Sequence, residues 1–284
     1  MTLSELVAEA EARLRSGPHP DRARLDAETL LLHLLKQNRA WMLGHGDDLV
    51  SAETQKSLTA LITLRQAGEP IQYITGEAEF YGLPFFVASG VLIPRPETEH
   101  LVEEVIRLAA LLPADQLRIA DIGTGSGAIA VALAHSLPQA HIIATDLSSQ
   151  ALAIAKQNAV RNHVENQIEF FEGDLLAPLV GQSFHIIASN PPYVPMVDLD
   201  SLSVEVREHE PHAALFAGDD GLSIYRRLIP QARALLVPEG WLLTEIGYGQ
   251  HAAVEQLLSG GDFREIRFIA DYQGIPRIAV GQRK

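Results

Sequence analysis

The sequence predicts an α/β protein, a mainly parallel sheet with helices on its faces, preceded by a smaller helical domain. Two patterns predict it. From Leu117 onward short apolar runs alternate with helical periodicity, the order that builds βαβ units. Residues 1 to 70 instead carry apolar positions at helical spacing and no strand-like run. The 284 residues, 47% of them apolar, suffice for one large domain plus a small one.

Thr2 with Glu5 reads as a capping box, and Leu3, Leu6, Val7, Ala10 and Leu14 share the face of a first helix that Gly17 and Pro18 stop. Asp21 is the expected cap of a second helix. Its Leu25, Leu30, Leu31, Leu32, Leu34 and Leu35 are apolar nearly all round, which suits the centre of a small bundle. Ser51 is the expected cap of a third, with Leu58, Leu61, Ile62 and Leu64 inward and Gly68 and Pro70 at its end. Nothing in this domain has catalytic spacing, so docking of a substrate and simple shielding both stay open.

The period changes at Ile71. Ile71, Tyr73, Phe80, Tyr81, Phe85, Phe86 and Val87 are strand formers, and Gly76 and Gly82-Leu83-Pro84 break them into strands around a hairpin. The division predicted is a helical domain over 1–70, a hairpin linker over 71–95 and an α/β domain over 96–284. Pro96 fits the first turn of a helix whose dipole Glu97 and Glu99 complement, continuing through Leu101, Val102, Val105, Ile106, Leu108 and Ala109. Arg95, between two prolines, is either a solvated charge or a brace for a neighbouring loop.

Strands are then expected at 117–122, 140–145, 167–171, 184–188, 241–246, 263–270 and 276–280, the fifth preceded by a turn at Pro238-Glu239-Gly240. Helices fall at 128–137, 148–162, 222–236 and 250–258.

Two turns carry chemistry. Asp121-Ile122-Gly123-Thr124-Gly125-Ser126-Gly127 lies between a strand and a helix, where glycines let backbone approach a ligand. Asp146, 19 residues after Gly127, ends the next strand and is placed for ribose hydroxyls. On this loop alone NAD and S-adenosyl-L-methionine are not separable, because Gly123, Gly125 and Ala128 also satisfy the dinucleotide fingerprint. Asp121 behind the crowded glycines, Asp174 at the end of the third strand and the want of a hydride-relay residue favour S-adenosyl-L-methionine. Asp121 can help hold its amino group. Asp174 is placed for its adenine amino group, or is a turn cap.

The second turn is Asn190-Pro191-Pro192-Tyr193, just past a buried strand at the sheet edge where ligands bind. Each proline fixes φ and removes an N–H, so the corner is stiff and poor in donors. The Asn190 side-chain oxygen and the Pro191 carbonyl can each accept one hydrogen of an NH2 group while the Tyr193 ring covers its flat face. Asn-Pro alone is an ordinary surface turn. The whole tetrapeptide beside a nucleotide loop suits methyl transfer to nitrogen, which decides against NAD.

Net charge of −14, from 22 basic and 36 acidic residues, argues against bare duplex DNA as main partner. The chain has no cysteine, so disulfides and thiolate metal sites are excluded. The 11 histidines lack zinc-site spacing, His209 and His212 having no third ligand, so no metal is expected. No apolar run reaches about 18 residues and the N-terminus is not that of a signal peptide, so a cytoplasmic protein without membrane contact is expected.

These motifs, with Glu69–Gly76, Val91–Glu99, Glu208-His209-Glu210-Pro211, Asp219–Leu222 and Glu245-Ile246-Gly247, resemble the HemK/PrmC family of protein N5-glutamine methyltransferases over nearly the whole chain. The resemblance implies a class I (Rossmann-like) methyltransferase sheet of seven strands with its last pairing antiparallel, an N-terminal helical domain and a β-hairpin linker. It implies cofactor contacts at Gly123, Thr124, Gly125, Ser126, Gly127, Asp146, Asp174, Leu175 and Asn190. Leu175 stands where some relatives carry an aromatic, so apolar packing replaces ring stacking there. Asn190, Pro191, Pro192 and Tyr193 are implied to hold the glutamine, with Asn190, Pro191 and Tyr193 catalytic.

The implied substrate is the Gly-Gly-Gln glutamine of class-I peptide chain release factors, methylated by a monomer that binds no nucleic acid. Glutamine methylation of a ribosomal protein and amino-directed methylation of nucleic acid are the alternatives. A non-enzymatic adenosine-binding module leaves the Asn190 turn without a purpose.

Overall fold

In the computed structural model, which describes residues 1–112 and 117–284, the chain groups into two units. One holds Met1–Glu77 and Leu202–His209, the other Ala78–Ser201 and Glu210–Lys284.

The first unit contains α1 (Leu3–Leu14), α2 (Ala23–Leu35), α3 (Arg39–Gly44), α4 (Ala52–Gln66) and α5 (Ile71–Thr75). The Thr2–Glu5 capping box forms in both directions, at 2.9 and 3.2 Å. The α1 face Leu3, Leu6, Val7, Ala10 and Leu14 packs with Leu30, Leu31, Leu58 and Ile62 into one core. Ser51 caps α4 as expected, its hydroxyl accepting from Thr54 N–H at 3.1 Å.

Asp21 does not cap α2. Pro20, with its φ preset, starts a 3-10 turn through Arg22 that runs directly into the helix, leaving no extended residue to act as cap. Leu25 and Leu64 stay over 40% exposed, so the leucine-rich faces are narrower than their composition suggests. Ile71–Thr75 is a helical turn where a strand was expected. Pro70 sits at its N-cap, and Gly76, at φ 72°, ends it in the left-handed conformation that favours glycine. Arg65, 2% exposed, donates to Asp26 at 2.7 Å and to the Glu69 carbonyl at 3.0 Å, and also pairs with Glu205.

The hairpin pairs β1 (Glu77–Phe80) with β2 (Leu83–Phe86) through Tyr81 and Gly82, both at positive φ, the geometry of a type I′ turn. Pro96 opens a 3-10 turn, Pro96–Thr98, and α6 (Glu99–Ala109) follows, with Leu101, Val102, Val105 and Leu108 buried.

The chain then runs β3 (Arg118–Ile122), α7 (Ala128–Ser136), β4 (His141–Asp146), α8 (Ser149–Arg161), β5 (Ile168–Glu172), β6 (Phe184–Ser189), α9 (Val204–His209), α10 (Ser223–Leu235), β7 (Leu236–Glu245), α11 (His251–Gly260), β8 (Phe263–Ala270) and β9 (Pro276–Arg283). Among the described residues no helix is long and apolar enough to cross a membrane. Pro238-Glu239-Gly240 makes a bulge inside β7 rather than a turn before it. The pairing with β6 slips there, and Glu239 takes φ 65°.

Among the described residues seven strands form one sheet in the order β5-β4-β3-β6-β7-β9-β8. All pairings are parallel except the two made by β9, which inserts between β7 and β8. Because β3 leads to β4 on one side while β6 flanks it on the other, the strand order reverses at β3 and β6, and crevices form at such switch points. Register aligns Ile122 with Thr145 and with Ser189, and Ser189 with Thr244. The residues one step on, Asp146, Gly123, Asn190 and Glu245, therefore stand in a row along the carboxyl edge, about 4.8 Å per strand.

Candidate active site

Two corners occupy that edge. In the first, Gly123, Gly125 and Gly127 take φ of 74°, 56° and 84°, which a side chain rarely adopts. A Cβ on Gly123 or Gly125 would meet nothing within 4 Å, so space lies open over this backbone. A Cβ on Gly127 would come within 3.1 Å of Ala155, where loop and α8 pack closely.

Thr124 and Ser126 are buried. The Asp146 carboxylate accepts from Gly125 N–H at 2.8 Å and Ser148 N–H at 2.9 Å, pinning the loop to the end of β4. Asp121 is fully buried. One oxygen accepts from the Thr124 hydroxyl at 2.6 Å and Ala130 N–H at 3.2 Å, and the other has no hydrogen-bond partner among the described residues. Burial pushes its carboxyl up to about 7, helped by the charge of Asp146 and opposed by those two hydrogen bonds.

The loop has a buttress that sequence reasoning did not find. Asn158 on α8, wholly buried, accepts from Phe86 N–H at 2.7 Å and donates to the carbonyls of Phe86 at 2.9 Å and Ser126 at 2.8 Å. One side chain thus joins the hairpin to the glycine turn.

Beyond β5, Asp174 forms an ion pair with Arg227 on α10. Leu175 takes φ 51° and its carbonyl accepts from the Thr145 hydroxyl at 2.9 Å, while its side chain packs on the sheet core.

The second corner leaves β6 at Asn190. Pro191 is buried, and Asn190, Pro192 and Tyr193 are half-buried. The Asn190 Nδ2 donates to the Thr98 hydroxyl at 3.0 Å, and that hydroxyl donates to Glu245 Oε2 at 2.6 Å. Tyr193 donates its phenol proton to Glu245 Oε1 at 3.2 Å, and Tyr225 donates to the Glu245 carbonyl at 2.8 Å. Among the described residues no hydrogen bond reaches Asn190 Oδ1 or the Pro191 carbonyl.

Burial raises the Glu245 carboxyl to about 7, with Thr98, Tyr193 and Arg277 pulling it down and Glu97 pushing it up. Burial and then the Glu245 charge hold the Tyr193 phenol well above its ordinary range, so it stays protonated.

The backbone after the turn is held from outside. Val194 N–H donates to Leu215 at 2.8 Å and Ala217 N–H to Val194 at 3.0 Å. Gln250 donates to the Tyr193 carbonyl at 2.8 Å and accepts from Gly247 N–H at 2.9 Å. A Cβ on Gly221 would sit 2.3 Å from that same carbonyl, so only glycine fits there. Arg95 is a brace rather than a solvated charge: it donates to the buried Glu210 carboxylate at 2.5 Å.

The chain is 41% identical to release factor glutamine methyltransferase of Koribacter versatilis over 285 residues, covering 100% of this chain and 99% of that one. The chain belongs to the release factor glutamine methyltransferase family. The Moorella thermoacetica enzyme of that name is likewise 41% identical over 100% of this chain and 99% of its own. The PrmC N-terminal domain model matches residues 5–76 and the methyltransferase small domain model residues 105–205. A methyltransferase of Pyrococcus furiosus superposes with a TM-score of 0.53 over 79% of this chain and 97% of its own at 16% identity, a likeness of fold.

Family membership and sheet order agree with the class I methyltransferase fold expected, including the antiparallel final pairing. Thr98, Glu245, Gln250 and Asn158 had no role before the structure. The first two stood inside recognised motifs, Pro94–Glu99 and Glu245-Ile246-Gly247, and a buried carboxylate at a strand end was the available signal.

Proposed function

We propose that this chain transfers a methyl group from S-adenosyl-L-methionine to the side-chain amide nitrogen of the glutamine in the Gly-Gly-Gln motif of class-I release factors. The observation that carries the proposal is the Asn190 corner, whose Oδ1 and Pro191 carbonyl accept no hydrogen bond from any described residue. Residues 1–70 dock the protein substrate in this reading, 71–95 link, and 96–284 perform transfer.

The glycine corner fits the cofactor. Its open space over Gly123 and Gly125, the unpartnered Asp121 oxygen and the Asp146 carboxylate suit a ligand bearing both an ammonium group and ribose hydroxyls. Gly123–Gly127, Asp146, Asp174, Leu175 and Asn190 would hold it. When bound, it supplies an electrophilic sulfonium methyl group.

An amide nitrogen is a weak nucleophile because its lone pair is delocalised into the carbonyl. Asn190 Oδ1 and the Pro191 carbonyl accept its two hydrogens, which orients the nitrogen and favours the positive charge that builds on it, and one of those two protons leaves once the nitrogen carries the methyl group. Pro191 and Pro192 have no N–H to offer as competing donors. The Tyr193 ring, its hydroxyl anchored on Glu245, covers the amide plane.

The test offers isotopically labelled S-adenosyl-L-methionine with three acceptors: a class-I release factor, ribosomal protein and DNA. The label is expected on the Gly-Gly-Gln glutamine, located by mass spectrometry. Label on ribosomal protein or DNA alone overturns the assignment. Asn190→Ala should abolish transfer while cofactor binding stays measurable, and wild-type turnover in that variant refutes the clasp.

A further inference from the structure

We propose that Glu245, acting through the Thr98 hydroxyl, is a positioning residue that sets which end of the Asn190 carboxamide faces the substrate. The proposal rests on the reading of Asn190 as acceptor for the substrate amide. A carboxamide has a donor end and an acceptor end of nearly equal size, so shape alone does not orient it. Only the acceptor end can receive an N–H of a glutamine side chain, so something must choose.

The choice follows from counting protons. Ionised Glu245 has only acceptors. It takes the Thr98 hydroxyl proton at 2.6 Å and the Tyr193 phenol proton at 3.2 Å. With its single proton committed, the Thr98 oxygen can only accept, and it accepts from Asn190 Nδ2 at 3.0 Å. Oδ1 is thereby left to face outward.

A proton on Glu245 reverses the chain. The carboxylic acid donates to Thr98, the freed Thr98 proton can go to Asn190 Oδ1, and the carboxamide turns its NH2 outward. A donor then meets the donor hydrogens of the substrate amide. Methyl transfer itself is unchanged in its atoms; the relay sets only the fraction of molecules competent to bind the amide.

Burial is what makes this carboxylate a deliberate feature. Glu245 is 2% exposed and Thr98 4%, and a buried carboxylate that, among the described residues, has no cationic partner in hydrogen-bond contact is costly. The charged and titratable groups facing it are Glu97 beside Thr98, Tyr193 on the corner, Tyr225 from α10 and Arg277 from β9; Arg95 acts on Tyr193. Those surroundings, with burial, bring the Glu245 carboxyl to about 7, so the relay changes state near neutral pH.

The test measures single-turnover methyl transfer, cofactor Kd and melting temperature for the full chain and its variants. Thr98→Val keeps shape and removes the hydroxyl, and should lower the transfer rate at least tenfold with cofactor Kd unchanged. Thr98→Ser should restore the rate to within threefold. At saturating cofactor, where titration of Asp121 does not limit occupancy, the wild-type rate should fall as pH drops below about 7, approaching tenfold per unit, and Glu245→Gln should lose that acid limb. A Thr98→Val rate within threefold of wild type, or an acid limb that persists in Glu245→Gln, overturns the relay. Asn190→Ala separates the two readings: if it retains turnover the clasp itself is wrong, whereas an inactive Asn190→Ala beside an unaffected Thr98→Val removes only the relay.

Discussion

Asn158→Ala should both loosen the fold and weaken cofactor binding, although Asn158 belongs to neither corner. Its side chain is fully buried and makes three hydrogen bonds of 2.7 to 2.9 Å, two to Phe86 and one to the Ser126 carbonyl. Truncation leaves the Phe86 N–H without a partner, strips one donor from each carbonyl and opens a small void. An orphaned buried donor costs about 1–3 kcal/mol, and Phe86 is half-buried, so with the two carbonyls and the void the total comes to about 2–4 kcal/mol. For a chain of this size about 2–4 °C is lost per kcal/mol, so the melting temperature should fall by roughly 10 °C. Asn162 still donates to the Pro84 carbonyl at 3.0 Å, so the hairpin stays attached while the glycine turn loses its brace. Thermal unfolding and a calorimetric titration with S-adenosyl-L-methionine read both effects. A loss under about 1 kcal/mol with unchanged cofactor affinity would refute the reasoning, because orphaned buried groups cannot be that cheap.

Other expectations follow from single residues. Gly221→Ala places a Cβ 2.3 Å from the Tyr193 carbonyl at φ 71°, so methyl transfer should fall by at least tenfold while cofactor Kd is retained; equal turnover would show that the corner tolerates displacement. Gly123→Ala has steric room but an unfavourable φ of 74°, costing about 1–2 kcal/mol of stability, and its methyl enters the space assigned to the cofactor, so cofactor Kd should rise more than stability falls.

Asp121 and Glu245 are both raised to about 7 from ordinary values of 3.8 and 4.5. Between those limits the folded state binds more protons than the unfolded chain. The stability they contribute is thus fully present below about pH 4 and lost as pH rises through 7. Glu245→Gln should about halve this slope between pH 5 and 7 in urea unfolding, Asp121 supplying the rest; an unchanged slope would mean the Glu245 carboxyl is not perturbed. Arg65→Ala leaves the buried Asp26 carboxylate without its 2.7 Å partner and should destabilise the helical unit by about 3–5 kcal/mol, seen as earlier loss of amide protection in α2 and α4.

Much of this architecture was legible because it is local. The Thr2–Glu5 box, the Ser51 cap and the sheet strands rest on neighbours within a few residues or on period alone, and the structure returns them within a residue or two in most cases. The failures have physical causes of the same locality. Ile71 and Tyr73 have strand propensity, but the Pro70 and Gly76 brackets and burial of Ile71 fold that stretch as a helical turn. Pro238–Gly240 has turn chemistry, yet the pairing of β6 with β7 absorbs it as a bulge.

The corners themselves were visible as glycine and proline clusters after apolar runs. What supports them was not. Asn190 meets Thr98 across 92 residues, Thr98 meets Glu245 across 147, and Phe86 meets Asn158 across 72. Polar residues of that kind look like surface until the sheet order brings them together, and one sequence carries no record of the pairing.

The most direct measurement of the central claim is a crystal structure of the chain with S-adenosyl-L-homocysteine and a Gly-Gly-Gln peptide. The glutamine amide nitrogen should lie within hydrogen-bond distance of Asn190 Oδ1 and the Pro191 carbonyl, with the Asn190 Nδ2 still on Thr98. A peptide bound with its amide elsewhere, or a cofactor sulfur remote from Asn190, would contradict the account.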